Sequence, residues 1–207
     1  FEAMKLRMLN GAHSTLAYAG YLAGHTFVRD CMKDADLVAV IERHMEAAAR
    51  TLDPVPGIDL ADYARDLRER FANPAIAHQT YQIAMDGTQK LPQRLLEPAL
   101  IALDRGLPID AYAFSVAAWM RYATGINEGG ETYLLRDPRE AEIAERVGEA
   151  NGDAAALVER LLALPGLFPE RLAGSTEWRE AVTARLARML TQGMRAAIAA
   201  EAAAIRG

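Results

Sequence analysis

Apolar residues recur every three to four positions along most of this chain, and sustained alternation of apolar and polar residues is missing. The segment Lys5 to Ala23 predicts a helix, weakened at Gly11 and Gly20. From Asp36 to Leu52, residues Leu37, Val40, Ile41, His44, Met45 and Ala48 share one helical face. Pro54, Pro56 and Gly57 end that pattern in a loop. Asp59 predicts the N-cap of a helix reaching about Phe71. Asn73-Pro74 predicts another helix start, with Pro at the first helical position. Asp137-Pro138-Arg139-Glu140 repeats the device and adds a Glu that can close a capping box.

Further helices are predicted over Leu91 to Leu103, Asp110 to Ala123, Arg139 to Glu149 and Asp153 to Leu164, with glycines or prolines between them. The last runs from about Thr176 toward Ile205 in good helix formers. Only residues 127–135, with Gly129, Gly130 and the alternating Thr132 and Leu134, admit a short hairpin. The expectation is one all-α, multi-helix domain over residues 1–207.

Composition narrows the partners. A formal charge of -5, with Lys and Arg scattered, leaves no basic footprint for nucleic acid. No apolar run approaches the roughly 18 residues of a membrane span. Cys31 is the only cysteine, so no internal disulfide forms; a buried thiol in a reducing, cytoplasmic setting is expected. His25, His44 and His78 are dispersed, and neither H-E-x-x-H nor C-x-x-C occurs, so no metal site is expected. Neither G-x-G-x-x-G nor a P-loop occurs, so no cofactor-binding residue is assigned.

The chemistry concentrates in two short runs. Lys5, Asn10 and His13 form a Lys-x4-Asn-x2-His signature. On a regular helix these three fall near 0°, 140° and 80°, on one broad face, at about 100° per residue. Asn10 and His13 are neighbours at i, i+3. Lys5 lies nearly two turns away, so its stem must reach or the helix must bend near Gly11. A lysine amine serves as general base when burial or nearby positive charge favours its neutral form. An asparagine amide can donate to an oxygen that gains charge in a transition state. Solvated side chains would give the same three letters. The second run is Asp86 to Arg94. Asp86-Gly87-Thr88 is a turn signal, and Lys90 and Arg94 project together at i, i+4 beside a helix start. Two cations there suit an anion, and an Arg fork suits a carboxylate, although a solvated basic pair reads the same.

These runs carry a resemblance. Lys5 to Gly24, Phe71-Ala72-Asn73-Pro74-Ala75-Ile76, Ile83 to Arg94 and Trp119-Met120-Arg121-Tyr122 resemble the C-terminal domain of the polyol-specific long-chain dehydrogenases, over most of the chain. That family includes mannitol 2-dehydrogenase and fructuronate reductase (D-mannonate oxidoreductase). The resemblance implies a helical substrate domain of the 6-phosphogluconate dehydrogenase C-terminal type. It implies metal-independent hydride transfer with NAD, held mainly by an N-terminal Rossmann domain that lies outside these residues. It makes Lys5 the general base, Asn10 part of the oxyanion site, His13 a binding aid and Lys90 a substrate contact. The run Gln89-Lys90-Leu91-Pro92-Gln93-Arg94 is similar to the fructuronate reductase branch. Where the mannitol branch has an Arg touching the polyol, this chain has Gln82, and a sugar acid would need the cation Arg94.

The resemblance therefore implies the C-terminal part of an NAD-dependent oxidoreductase interconverting D-fructuronate and D-mannonate, inert without its Rossmann partner. A mannitol-type polyol dehydrogenase is the alternative. A non-catalytic helical interaction module is the third reading, since no cofactor motif stands in these residues.

Overall fold

The computed structural model describes residues 1–207, and it is all-α: no strand forms, and the only β pairings are single bridges at Phe27–Gln79 and Ile126–Thr132. No helix is long and apolar enough to cross a membrane.

Helix α1 runs unbroken through Glu2–Met4, Lys5–Asn10 and Gly11–Leu22, and its middle stretch is π-helical. Helices α2 (Ala35–Arg50) and α3 (Leu60–Ala72) follow. Asp34 and Asp59 cap them by accepting the second and third backbone N–H groups. Helix α4 runs through Gly87–Leu91, a second π-helical stretch at Pro92–Leu96, and Glu97–Asp104. Then come α5 (Asp110–Tyr122), α6 (Glu140–Ala150), α7 (Ala154–Leu162), α8 (Thr176–Gln192) and α9 (Met194–Arg206).

Helix α5 is the axis of the core. Its residues from Ala111 to Tyr122 are all buried. The sequence explains this: small and aromatic residues surround the helix, so every side must be covered. Helices α8, α1 and α7 pack around it. Trp178 of α8 and Tyr18 of α1 are among the largest side chains fully buried there. Helix α9 closes over α2, where Glu201, with a side chain only 6% exposed, lies between Arg43 at 2.7 Å and Arg185 at 2.6 Å.

Four local predictions need correction. Asn73-Pro74 starts no helix. Asn73 instead accepts from the N–H of Ala75 in a local turn, and the chain then runs without helix to Gln79, where it pairs with residues 26–28. Residues 127–135 form a loop closed by the Asn127 side chain, with a single bridge and no ladder. The last helix is cut in two at Gly193, whose φ of 90° only glycine adopts readily, and Glu128 accepts from the N–H of Met194 beyond the break. The helix expected from Leu91 begins at Gly87, so Pro92 lies inside it. An interior proline lacks an N–H and crowds the preceding turn, and widening that turn is one way to keep the helix.

Only half of the capping box at Glu140 forms: its carboxylate accepts from the N–H groups of Arg136 and Asp137, but the Asp137 carboxylate accepts from the N–H of Arg139 and not from that of Glu140, and the helix begins at Glu140. The Asp137 carboxylate itself reaches across to Thr88, taking both its N–H at 2.8 Å and its hydroxyl at 2.6 Å, and so pins the start of α4.

Candidate active site

The two π-helical stretches pack against each other, one from α1 and one from α4. In a π turn the hydrogen bonds join residues five apart, as when the N–H of Gly11 donates to the carbonyl of Leu6. Residues five apart are then brought closer to one line, where a regular α-helix would set them about 140° apart. Lys5 and Asn10 are such a pair. The wider turn thus shortens the reach required of Lys5. The exposure pattern agrees: Lys5 is exposed and Asn10 and His13 are half-buried, while Arg7, Met8 and Leu9 face inward.

Arg94 joins the second stretch to the first. Its Nη1 donates to the hydroxyl of Ser14 at 3.2 Å and to the carbonyl of Asn10 at 3.4 Å. Lys90 donates to the carbonyl of Ile83 at 2.9 Å. Burial lowers the affinity of both groups for their protons, and for Lys90 the neighbouring Arg94 acts in the same direction. Two cations held side by side and partly out of water favour a bound anion.

His13 sits at the centre of this charge. Its ring stacks on Phe71 at 4.5 Å and meets His78 edge-on at 5.7 Å. A cavity of about 40 Å³ opens beside it, lined by His13, Val28, Arg70, Phe71, Ile76 and His78. Burial, then His78, Arg94, Arg70 and Lys90, lower its pKa to about 4. His13 is therefore neutral at neutral pH, with one ring nitrogen donating and the other accepting.

Arg94 thus touches Asn10, Arg94 and Lys90 both act on His13, and of these four residues His13 alone lines the cavity, with Lys5 exposed earlier on α1. Arg70, Phe71 and His78 belong to this cavity but escape a reading of the sequence. They flank the Asn73-Pro74 motif, and the turn there followed by the non-helical course of residues 76–79 brings His78 beside His13. His44 is also missed. It is fully buried, and its Nε2 lies 3.0 Å from the carbonyl of Arg7, inside the first π stretch. Its signal was the single polar side chain in the apolar stripe of α2. No group of three or more His, Cys, Asp or Glu side chains is placed to hold a metal ion.

Comparison with known proteins gives the same outline. The mannitol dehydrogenase C-terminal domain family matches residues 1–190. The D-mannonate oxidoreductase of Escherichia coli is 43% identical over 201 residues, covering 97% of this chain and 41% of that protein. A mannitol 2-dehydrogenase of Aspergillus terreus is 31% identical over 195 residues, covering 94% and 38%. Among solved structures, Pseudomonas fluorescens mannitol 2-dehydrogenase, in a ternary complex with NAD and D-mannitol, superposes with a TM-score of 0.89 at 34% identity, over 95% of this chain and 39% of that one. The chain spans about two-fifths of the length of these relatives.

Proposed function

The chain belongs to the mannitol dehydrogenase C-terminal domain family, and from that membership and the cleft we propose that it is the substrate and proton-transfer half of an NAD-dependent oxidoreductase acting on a sugar acid, D-fructuronate and D-mannonate being the pair it interconverts. The observation that carries this reading is the cationic floor around a neutral His13: Lys90 and Arg94 are neighbours on α4 and both act on the ring, and Arg70 lines the cavity beside it. A carboxylate matches that floor, and a neutral polyol leaves its charge unanswered.

These residues offer no glycine-rich turn between strand and helix to cradle a dinucleotide. Their open face fits a second domain that carries the cofactor, with Lys5 and Asn10 turned toward it. When bound, NAD supplies or accepts the hydride. The chain's own side chains do the rest. In reduction, a protonated Lys5 gives its proton to the substrate oxygen as charge develops there. In oxidation, its neutral amine removes the hydroxyl proton, and a domain closing over this exposed side chain would favour that neutral form. The Asn10 amide donates to the same oxygen. His13, neutral, holds an adjacent hydroxyl. Lys90 and Arg94 hold the carboxylate.

The similarity to a mannitol 2-dehydrogenase bound to NAD and D-mannitol favours a second reading, a neutral polyol as substrate. The test compares NADH oxidation by the full-length protein with D-fructuronate and with D-fructose. Turnover favouring fructuronate supports the sugar-acid reading. Turnover favouring fructose moves the enzyme to the polyol reading and leaves Arg94 with its contacts to Asn10 and Ser14. Inactivity with both, and with a wider panel of polyols and sugar acids, would leave the third reading, a helical interaction module.

A further inference from the structure

The π-helical stretch that aligns Lys5 with Asn10 has to be held. Where the hydrogen-bond ladder returns from a five-residue to a four-residue step, one carbonyl is skipped and needs another donor. A donor stands there. His44 of α2 places Nε2 3.0 Å from the carbonyl of Arg7, in the middle of the stretch. The acceptor is a carbonyl, so this nitrogen carries the hydrogen. The other nitrogen, Nδ1, is buried without a partner. The ring is fully buried and lies edge-on to Tyr112 at 5.7 Å. Leaving one nitrogen unsatisfied is costly, which makes a mere space-filling role a poor account of a histidine here.

The space for that ring comes from Gly11. A Cβ on Gly11 would lie 2.5 Å from His44 Nε2 and 3.0 Å from the carbonyl oxygen of Arg94. That second oxygen belongs to the other π stretch, and Pro98, four residues on, has no N–H to offer it. Two irregular turns therefore meet at the one residue without a side chain, and His44 is wedged against them from α2.

We propose that His44 is a positioning residue: by donating to the Arg7 carbonyl, in the space left by Gly11, it holds the five-residue turn that stands Lys5 over Asn10. The proposal rests on the reading that Lys5 and Asn10 carry the chemistry. Without the clamp the stretch can relax toward a regular helix, and Lys5 then swings away from Asn10 around the helix axis.

The experiment uses the full-length enzyme, assayed with D-fructuronate and D-fructose, and four variants: Lys5→Ala, His44→Leu, His44→Gln and His44→Asn. His44→Leu is expected to lower kcat by about tenfold or more, because misplacing a reacting group costs rate steeply. KM is expected to stay within about twofold, since the carboxylate floor is untouched. His44→Gln can present an amide N–H where Nε2 stood and is expected to recover kcat to within about threefold of wild type, while the shorter His44→Asn does not. Wild-type kcat in His44→Leu, beside an inactive Lys5→Ala, would overturn the clamp and leave the role of Lys5 standing. Wild-type kcat in Lys5→Ala would remove the underlying reading and the clamp with it. Should the leucine variant fail to fold, the Gln and Asn variants decide, and equal kcat in those two overturns the proposal.

Discussion

Helices α1 and α4 carry the candidate chemistry, while α8 and α9 carry none, and the two pairs hold themselves together by different means. Helices α8 and α9 are regular. Ser175 caps the first by accepting from the N–H of Trp178, and their residues are mostly Ala, Arg, Glu and Leu. Apolar packing through Trp178, Val182, Leu186 and Ile198 ties them to the rest, and charge is added to it: Glu201 lies between Arg43 and Arg185, and Arg206 pairs with Asp36 at 2.7 Å. Helices α1 and α4 each break the four-residue ladder once, and at the break of α1 contacts arrive from other helices: the His44 ring from α2, and the Arg94 side chain from the irregular stretch of α4. A helix that only packs can follow local preference. A helix that must aim two side chains at one atom departs from it, and a neighbour has to enforce the departure.

The sharpest break of that comparison is Lys5→Ala. Its side chain is exposed, so the fold should not notice its loss. Turnover of the full-length enzyme should fall by about 10²- to 10⁴-fold, the range of a general acid or base. Steady-state kinetics with an unfolding curve alongside measures both. Turnover that survives would return α1 to the same class as α8.

The opposite signature is expected at Glu201→Ala, in the regular pair. Removing the carboxylate strands Arg43 and leaves Arg185 only its exposed partner Asp110 at 2.9 Å, and losing the partner of a mostly buried charge costs about 1–3 kcal/mol. Urea unfolding should show that loss, while KM and kcat of the enzyme that remains folded stay unchanged. A loss under about 1 kcal/mol would mean that the two arginines re-solvate, as exposed pairs do.

Acid should separate the halves as well. His44 has its pKa lowered to about 4 by burial, partly offset by its bond to Arg7, and His13 is lowered to about 4 as well. The unfolded chain takes up these protons near pH 6.5 and the folded chain only near 4. Stability therefore falls as pH drops through that window, and these groups cost nothing further below it. The shift of His44 corresponds to about 3 kcal/mol, and His13 adds in the same direction. Denaturant midpoints from pH 7 to 4 would measure the slope. His44→Gln should flatten it, and an unchanged slope would show that carboxylates elsewhere govern acid unfolding.

The sequence made the regular half of the molecule legible and half-hid the rest. The Asp59 cap and the apolar stripe of α2 follow from rules spanning four to twelve residues, and each is found; of the capping box at Glu140 only the glutamate's half is. The cut at Gly193 was overlooked because Ala-rich helices continue on both sides, and the φ it needs is enforced partly by Glu128, 65 residues upstream in the chain. The site divides in the same way. Lys5, Asn10 and His13 share a signature, and Lys90 and Arg94 a helical face. The π turns that bring them into register depend on His44 and on the meeting of Gly11 with Arg94, which are contacts across the fold. Arg70 and His78 were unreadable for a related reason: they meet at His13 only because residues 73–79 turn and then run without helix, where Asn73-Pro74 signals a helix.

The smallest effect is also the cleanest comparison, because it uses one substitution in two helices. Gly148 lies in the regular helix α6, is exposed, and would place a new Cβ in open space. Gly148→Ala should stabilise the protein by about 0.5–1 kcal/mol, the ordinary helical preference for alanine. Gly11→Ala offers the same preference, and it should be overruled. The methyl group would meet the His44 ring and the Arg94 carbonyl, and overpacking of that kind costs about 1–3 kcal/mol. Parallel unfolding curves of the two variants should therefore move in opposite directions. Turnover should fall in Gly11→Ala alone, since the clash sits where the two π stretches meet. If both variants gained stability, the junction would be loose enough to take a methyl group, and the alignment of Lys5 with Asn10 would need another cause than close packing at Gly11.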